Sequence, residues 1–525
     1  MSREGLRHAV NRVASLALAG VWVAILFSGG CAAGPQVLMP AEQKTVDRRI
    51  TEYPTGFELK PYIVNLDSPT GMSFDEAGNL IVAEGGIDSA EPHIFGVRPN
   101  GTRFDIYPVE SRFPILKPGF HIYGPVGGII CFHGRIFVSH RDKDDMGVIT
   151  SFGYDGSHVT VVAGLPAQGD YSVTDIAVSP IHERLYFGLG TTTNSGVVGL
   201  DNWQEGWVRD HPEACDLPLK PLKLLGYRFD VRNPEASIFS ADVLVTVPFR
   251  PLGISDITRI SAAPLAKPTG AIYSISPEGG DLHVEAWGVR HPAGLIVNEF
   301  GRVYFTDQGM ELRGTRPIMD DPDVLFRLVI DGWYGWPDFS RRLEPISAAK
   351  YQPKSSMVTK TGYPDVGFVI DHQASGLTDP DVRWLAVQLP PQAGASKMDF
   401  VPQSGPFRAF TGGLLIALWG DRAPFSTYDQ PLVHPLPGYK VVRVDPDRRE
   451  VHDFIYNTAG GPASQLRHGG DEALERPIDV KFGPDGNLYI LDFGRMRMVD
   501  GQEKVSGGTG KIFRLIPAAT TQPSR

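Results

Sequence analysis

The chain has 525 residues and is 42% hydrophobic, with 59 glycines and 44 prolines spread along its length. This composition is typical of a globular protein whose many strands are joined by tight turns, so we expect mostly β structure. The formal net charge of −10 argues against a nucleic-acid-binding surface.

The N-terminus has the features of a targeting segment. Three arginines precede an apolar stretch at 13–27, which is the pattern of a signal peptide. The sequence SGGCAAG then resembles a lipobox, in which Cys31 would be lipidated, although Ser28 stands where leucine is usual. Ordinary cleavage nearby, or an uncleaved anchor, remains an alternative. Each version predicts an exported protein that is either periplasmic or a membrane-anchored lipoprotein. Its contact with the membrane would be only through this N-terminal lipid or signal anchor.

Only two cysteines remain after the targeting segment, Cys131 and Cys215, and neither belongs to a CxxC pair or a CxxCH haem-attachment motif. A single disulfide between them and two buried free thiols are both compatible with the sequence.

An internal repeat organises the chain. Each copy has a short apolar strand, a turn that mostly contains Gly, Asp or Asn, and a second strand that ends in a polar or Gly-rich step. The copies are 69–86, 125–141, 173–190, 292–309 and 477–494, with a degenerate sixth at 396–421. Further strand pairs lie between them at 147–164, 270–288 and 438–456.

Two hairpins per unit make a four-stranded sheet, and about six such units closing into a ring predict an all-β, six-bladed β-propeller. A pair of packed β-sandwiches is the alternative. The propeller would span 57–516, after a signal segment at 1–31 and a linker at 32–56 and before a disordered tail at 517–525. Uneven repeat spacing places two long inter-strand insertions at 191–265 and 311–392, and loops of that length usually carry function.

Because a hairpin returns to its start, the residues before its first strand and after its second strand meet at one end of the blade. Arg290 and His291 should therefore lie beside Asp307 and Gln308. The same rule brings polar residues of other blades to the mouth of the channel, a suitable place for a small-ligand site: Glu84, His140, Arg141 and Asp492.

Between 270 and 336 the motifs WGVRHPAGL, TDQG and GWYGWP follow one another, and ERPIDVKFGPDGNLYILDFG and GTGKIFRL come near the C-terminus. This ordered set resembles the soluble glucose/sorbosone dehydrogenases, six-bladed propellers that use pyrroloquinoline quinone (PQQ) and calcium. The resemblance covers about 57–516. It implies a dehydrogenase that oxidises a sugar or aldose hydroxyl and passes electrons to an external acceptor.

The resemblance also implies roles for particular residues. Arg290 falls where the family places an arginine over the quinone, and Arg476 falls on one of its carboxylate-binding arginines. The backbone carbonyls of Gly309 and Met310 fall where the family holds calcium, which prefers hard oxygen ligands. Nearby acidic residues are metal-ligand candidates or a solvated surface: Asp320, Asp321 and Asp323.

The chain also departs from the family. Asp170 falls on the aspartate that precedes the family's general base, but Tyr171 replaces that histidine, and tyrosine is a poor base at neutral pH. His291, which replaces an asparagine, is the best-placed alternative base, ahead of His140 and His372. The family's cofactor-binding lysine has no counterpart, although Arg422 is close enough to substitute, and a second arginine aligns with Ile478.

Three functions remain open from the sequence. The first is the PQQ- and calcium-dependent sugar dehydrogenase. The second is a calcium-dependent propeller lactonase, in which the metal would activate water and bind four channel carboxylates: Glu84, Asp175, Asp307 and Asp492. The third is a non-catalytic, lipid-anchored binding propeller, which Tyr171 and the missing lysine favour.

Overall fold

The computed structural model describes residues 34–88, 90–108, 120–155, 157–237, 240–256, 267–354, 365–427, 431–466 and 472–519. The predicted signal segment, the lipidation site Cys31 and most of the predicted tail lie outside these ranges. Among the described residues, no helix is both long and apolar enough to cross a bilayer.

Three strands precede the first blade: β1 (Gln36–Val37), β2 (Thr51–Glu52) and β3 (Phe57–Leu66). Blade one consists of β4 (Pro69–Phe74), β5 (Leu80–Glu84), β6 (His93–Val97) and β7 (Arg103–Tyr107). Blade two consists of β8 (Tyr123–Phe132), β9 (Arg135–Arg141), β10 (Gly147–Phe152) and β11 (His158–Leu165).

Blade three begins with β12 (Val173–Ser179) and β13 (Arg184–Leu189). An insertion follows, with α1 (Leu200–Glu205), α2 (Trp207–Asp210), β14 (Phe229–Arg232) and β15 (Val243–Thr246). The blade ends with β16 (Ala271–Ile275) and β17 (His283–Trp287). Blade four has β18 (Gly294–Val297), β19 (Val303–Asp307), β20 (Val324–Arg327) and β22 (Leu385–Gln388). The short β21 (Gly332–Trp333), which follows β20 in the chain, pairs with β17 and adds a fifth strand to blade three.

Blade five has β23 (Ala395–Phe400), β24 (Leu414–Leu418), β25 (Lys440–Asp445) and β26 (Glu450–Asn457). Blade six has β27 (Pro477–Phe482), β28 (Leu488–Asp492), a separate hairpin of β29 (Met496–Val499) and β30 (Gln502–Val505), and β31 (Gly510–Pro517). Single 3₁₀ turns occur at Pro40–Glu42, Ala349–Tyr351, Val382–Trp384, Arg408–Phe410 and Ala463–Gln465.

The N-terminal strand β3 closes the ring, because it pairs with β31 and becomes the outermost main strand of blade six. The first strands of the six blades contact their neighbours in sequence, and β27 contacts β4. Polar side chains join these inner strands across blades. Asp175 accepts a hydrogen bond from the backbone of Leu295 (3.0 Å), and Asp479 accepts one from Met72 (3.1 Å). Each inner strand is still the edge strand of its own sheet, but its free edge faces the channel inside the closed ring, where radial repetition leaves only short, protected edges.

The hydrophobic core lies between adjacent blades. The second strands β5, β19, β24 and β28 are buried at every residue, since both faces of each sheet pack against a neighbouring sheet. This explains why these segments are almost continuously apolar rather than alternating. The predicted all-β six-bladed propeller is confirmed, and its six repeat copies are the inner hairpins of the six blades.

Two sequence predictions need correction, and one alternative that the sequence left open is decided. The segment at 32–56 is not a free linker over its described part, because β1 and β2 pair with blades six and five and Val46 and Tyr53 are buried. The insertion at 311–392 is not one block, since β20 and β22 of blade four lie within it. Cys131 and Cys215 are free thiols, and burial raises the pKa of each to about 12.

Candidate functional site

A cavity of about 580 Å³ lies at the channel mouth and is lined by all six blades. Its volume is that of a small-molecule site. The predicted residues Asp170, Tyr171, His291, Arg422 and Ile478 line it. Residues from other blades complete the lining, among them Thr70, Asp88, Arg141, Ser172, Glu205, Trp207, Gln308, Lys397, Trp419, Gln502, Glu503 and Lys504.

The ends of the inner hairpins hold the site in place. Asp307, the last residue of β19, accepts hydrogen bonds from the backbone of Arg290 (3.1 Å) and His291 (2.7 Å). Its other oxygen lies 2.7 Å from the guanidinium of Arg341 in a fully buried ion pair. The predicted meeting of Arg290 and His291 with Asp307 and Gln308 is therefore confirmed, and Asp307 is a structural clamp.

Gln308 fixes the orientation of His291. The Gln308 side-chain nitrogen donates to the carbonyl of Ala395 (3.0 Å), so its oxygen faces His291 Nδ1 at 2.9 Å. Nδ1 therefore carries the ring proton, and Nε2, which bonds to no described residue, keeps its lone pair. Burial lowers the pKa of His291 to about 4. The half-buried ring is thus neutral near pH 7 and lines the cavity as a proton acceptor.

Tyr171 cannot serve as a base in this environment. Burial raises its pKa well above the usual 10, although Arg290 acts in the opposite direction. Its ring stacks on His291 at 4.2 Å between centroids, and its hydroxyl accepts a hydrogen bond from Arg290. Tyr171 therefore supports His291 and covers Arg290, which agrees with the poor basicity expected from the sequence.

Arg290 lies behind the cavity wall. Its side chain is 1% exposed, ion-pairs with Glu311 (3.2 Å) and donates to Asn194 Oδ1 (2.9 Å). Its guanidinium also lies over the Tyr171 ring, 4.8 Å from the centroid. Arg290 is not among the lining residues, so the structure does not bring it to a cavity ligand as the resemblance implied.

Asp170 belongs to a buried charge cluster beneath the cavity. It accepts from Arg313 (2.6 Å), Asn202 (2.8 Å) and the indole of Trp207 (2.8 Å). Although burial opposes ionisation, Arg313 holds its pKa below the usual 3.8. Burial and the neighbouring Asp170 raise the pKa of Glu205 well above its usual value. Asp170 is therefore an anion that organises the wall beneath Tyr171.

Arg422 and Arg476 are both occupied by other groups. Arg422 ion-pairs with Glu205 (2.7 Å) and Glu503 (3.2 Å) at the edge of the cavity. Arg476 lies outside the cavity lining, packed against the Trp419 ring at 4.2 Å, and it donates to backbone carbonyls of Trp419 and Asp421. The charge of Arg422 is thus already balanced, and Arg476 stabilises blade ends.

Five buried polar atoms on cavity-lining residues have no hydrogen-bond partner among the described residues. One of them, Arg422 Nε, lies 3.2 Å from Glu503 in an ion pair. The other four are Thr70 Oγ1, Arg141 Nε, Ser172 Oγ and the Trp419 indole nitrogen. Arg141 has only distant contacts otherwise, 3.8 Å to Asp145 and 3.5 Å to the carbonyl of Gly169. All four groups can donate a hydrogen bond. Their atoms are themselves buried in this structure, so a ligand rich in acceptors reaches them only after a change of rotamer.

Lys397 adds a second cation to this wall. Its side chain is 4% exposed, donates to the carbonyl of Thr70 (2.6 Å) and lies 3.7 Å from Asp175. Sequence reasoning did not single it out. A lysine inside the buried inner strand ASKMDF was the available signal, because a charge at such a position requires a partner or a ligand.

The predicted calcium ligands lie beside this site, outside the cavity lining. The backbone nitrogens of Gly309 and Met310 donate to Asp323 (3.0 Å) and Asp321 (2.7 Å). These two aspartates are buried clamps, so the solvated-surface interpretation was wrong for them. The carbonyl oxygens of Gly309 and Met310 accept no hydrogen bond from any described residue. In the described part of the chain, no three His, Cys, Asp or Glu side chains form a metal-binding group.

The lactonase carboxylates do not form such a group either. Glu84 accepts from the backbone of Asp67 (2.7 Å) and contacts His93, and Asp492 accepts from the backbone of Glu475 and Arg476. Asp175 and Asp307 are clamps as described above. None of the four lines the cavity.

The fold and the site together define a six-bladed propeller with a polar cavity at one end of its channel. No family model matches the chain, and no curated protein matches it in sequence. Its structural neighbours include PQQ-dependent sugar dehydrogenases.

A family AA12 carbohydrate-active enzyme from Trichoderma reesei is 13% identical, with a TM-score of 0.50 over 90% of this chain and 99% of that one. The PQQ domain of pyranose dehydrogenase from Coprinopsis cinerea is 16% identical, with a TM-score of 0.49 over 90% and 98%. PQQ-bound aldose sugar dehydrogenase from Streptomyces coelicolor is 15% identical, with a TM-score of 0.45 over 88% and 99%. At 13% identity, the likeness to the Trichoderma reesei enzyme supports the fold alone.

Proposed function

We propose that the protein is a PQQ- and calcium-dependent dehydrogenase that oxidises a hydroxyl of a small sugar. One observation carries the proposal: Thr70, Arg141, Ser172 and Trp419, each with a buried donor that has no partner among the described residues, line one cavity beside the buried cation Lys397. PQQ offers three carboxylates and quinone carbonyls, all of which are acceptors, so this donor set fits it. The fit uses different residues from those implied by the family resemblance.

Arg141 and Lys397 would hold the cofactor carboxylates, because charge-assisted hydrogen bonds are the strongest available to them. Trp419 would add its indole N–H. When bound, the quinone would accept the hydride, with its two electrons, that leaves the sugar carbon. Calcium would lie on the free carbonyl oxygens of Gly309 and Met310, which are ligands of the type that it prefers.

His291 would take the proton from the sugar hydroxyl. Its Nε2 lone pair is free, its tautomer is fixed by Gln308, and its low pKa keeps it unprotonated. Gln308 keeps the ring in one orientation, and the Tyr171 ring restricts it from one face. A positioned base of this kind raises the rate by about 100-fold or more.

Reconstitution tests the proposal directly. The purified chain is mixed with PQQ and calcium, freed of unbound cofactor by gel filtration, and its absorbance is followed as aldoses are added with an artificial electron acceptor. We expect retained PQQ and a sugar-dependent absorbance change. If the chain retains no PQQ at micromolar concentration, the proposal is wrong.

A non-catalytic binding propeller is the alternative that the replacement by Tyr171 favours. It predicts that sugars bind without PQQ and that no electron acceptor is reduced. The same experiment separates the two functions, since only the dehydrogenase couples sugar addition to acceptor reduction.

We also propose that the protein acts outside the cytoplasm, anchored by a lipid on Cys31, and delivers electrons to an external acceptor. The support is the basic, apolar and small-residue order of the first 31 residues. Mass spectrometry of the native N-terminus tests it: a diacylglyceryl group on Cys31 supports the anchor, and an unmodified residue at another cleavage position excludes it.

A further inference from the structure

Two insertions from opposite sides of the ring meet above the cavity. Helix α1 belongs to the insertion of blade three, and the β29–β30 hairpin belongs to blade six. In a six-bladed ring these two blades face each other across the channel. Gly501, at the tip of the hairpin, packs so closely on Gln204 of α1 that an added Cβ would lie 2.7 Å from the Gln204 Cβ. An element that connects opposite blades must pass over the channel mouth.

Helices α1 and α2 and the β29–β30 hairpin together form a bridge over the channel mouth. Ion pairs join this bridge to two further blades. Arg422 of blade five contacts Glu205 of α1 (2.7 Å) and Glu503 of the hairpin (3.2 Å). Lys504 of the hairpin contacts Asp88 of blade one (2.6 Å). The first two pairs are largely buried, where charge pairs are less screened than in solvent. Four blades therefore hold the bridge in place.

The bridge also forms part of the cavity wall. Glu205, Trp207, Gly501, Gln502, Glu503 and Lys504 all line the cavity that His291 and Lys397 line from below. A ligand in contact with His291 therefore lies beneath the bridge.

We propose that this bridge is a specificity element that admits only small, free ligands to the cavity and excludes the ends of polymers. The restriction on substrate size rests on the proposed function, under which the substrate class is free mono- or short oligosaccharides. The restriction on access does not, because it concerns only the passage to the cavity.

Access is measured first, without any ligand. In a full-length chain with Cys31, Cys131 and Cys215 replaced by alanine, Ile478→Cys places one thiol on the cavity wall, at a lining side chain that is only partly buried. The rate of labelling is compared for N-ethylmaleimide and a polyethylene-glycol maleimide. We expect the large reagent to react slower by about tenfold or more, since it needs the bridge to open. Equal rates would overturn the proposal.

Removal of the bridge should remove the difference in labelling rate between the two reagents. The hairpin pairs only with itself, and Ser506 donates to the carbonyl of Arg495 (2.9 Å) at its base. Replacing 496–505 by two glycines should therefore leave the ladder of blade six intact. We expect the large reagent to reach the thiol introduced by Ile478→Cys at a rate close to that of the small one. Continued exclusion in this variant would also overturn the proposal.

A milder variant is a control for misfolding of the protein that carries the deletion. Glu503→Gln with Lys504→Gln removes the hairpin's ion pairs and keeps its shape, and we expect the large reagent to react several-fold faster. Lys440→Gln breaks a pair of similar length (2.6 Å to Asp453) on outer strands of blade five and should not change the rate. If Lys440→Gln accelerated labelling by the large reagent as much as the hairpin variant does, the bridge would not be the barrier.

Substrate size is measured second, on PQQ-loaded protein. We expect the deletion to raise kcat/KM for a long oligosaccharide relative to a monosaccharide. If the thiol labelling behaves as expected and no sugar is oxidised by any variant, the proposed function is wrong, but the restriction of access by the bridge is supported. If sugars are oxidised but the ratio does not change, the size restriction is wrong.

Discussion

The imidazole of His291 is oriented by Gln308, whose side-chain oxygen lies 2.9 Å from Nδ1 and whose nitrogen is held by the carbonyl of Ala395. This relationship assigns the ring proton to Nδ1 and leaves Nε2 as the acceptor at the cavity. It also separates the roles of the two stacked rings. His291 presents a proton acceptor to the cavity, whereas the Tyr171 hydroxyl accepts a hydrogen bond from Arg290 within the wall.

His291→Gln should lower kcat for sugar oxidation by about 100-fold or more, because the positioned proton acceptor is lost. PQQ retention should change little. Tyr171→Phe is the matched control: it keeps the stacked ring and removes the hydrogen bond from the Arg290 guanidinium, which is worth about 1.5–3 kcal/mol of stability. Because the proton acceptor is kept, kcat should fall by less than about tenfold. Steady-state kinetics on PQQ-loaded protein checks both. The reverse order of effects would assign the base to Tyr171.

Stability should depend on pH through His291. Its folded pKa of about 4 lies below its usual value of 6.5, so the unfolded chain takes up a proton before the folded protein does. The contribution is complete above pH 6.5 and is lost as the pH falls toward 4, by up to about 3 kcal/mol. His291→Gln should remove this part of the pH dependence.

The comparison between the two proteins isolates the histidine. Buried carboxyls such as Asp321 and Asp323, whose pKa values burial raises to about 6 and about 7, titrate in both and act with the opposite sign. Urea unfolding at a series of pH values provides the free energies of unfolding. Parallel curves for the two proteins would show that His291 is not buried neutral.

Arg141→Gln should weaken PQQ binding by about 1.5–3 kcal/mol, roughly tenfold to more than 100-fold, because a charge-assisted hydrogen bond is lost. Equilibrium dialysis with PQQ measures the change. Arg327→Gln, which breaks a pair with Asp447 (3.1 Å) on the outer surface, is the control and should leave affinity unchanged.

Arg476→Gln should reduce stability more than affinity, and the opposite result would restore the role that the family resemblance implied.

Asp307→Asn should lower the free energy of unfolding by about 3 kcal/mol or more, since it leaves the buried Arg341 without its counter-ion. The backbone of Arg290 and His291 would also lose a charged acceptor. Guanidinium unfolding measures the effect. Asp381→Asn, which breaks an exposed pair with Arg383, should have no measurable effect. A loss below about 1 kcal/mol for Asp307→Asn would contradict the clamp role.

The inner hairpins and the meeting of His291 with Gln308 could be predicted because both depend on short sequence separations. Repeat spacing and the return of a hairpin to its start suffice for them. The insertions were predicted less well, since β20 is short and is separated from β19 by a long loop. The N-terminal strands β1 and β2 were missed because two-residue strands carry no periodicity.

The amino-acid sequence by itself determined the propeller and the place of its functional end, because strand periodicity and turn residues act locally. Only the tertiary structure decided which charges remain available there. Arg422 is balanced by Glu205, 217 residues away, and Arg290 is covered by Tyr171. Arg141 and Lys397, which line the cavity, keep only long ion pairs, at 3.8 Å and 3.7 Å. Burial and ion pairing depend on how distant loops pack, and no local pattern encodes that packing.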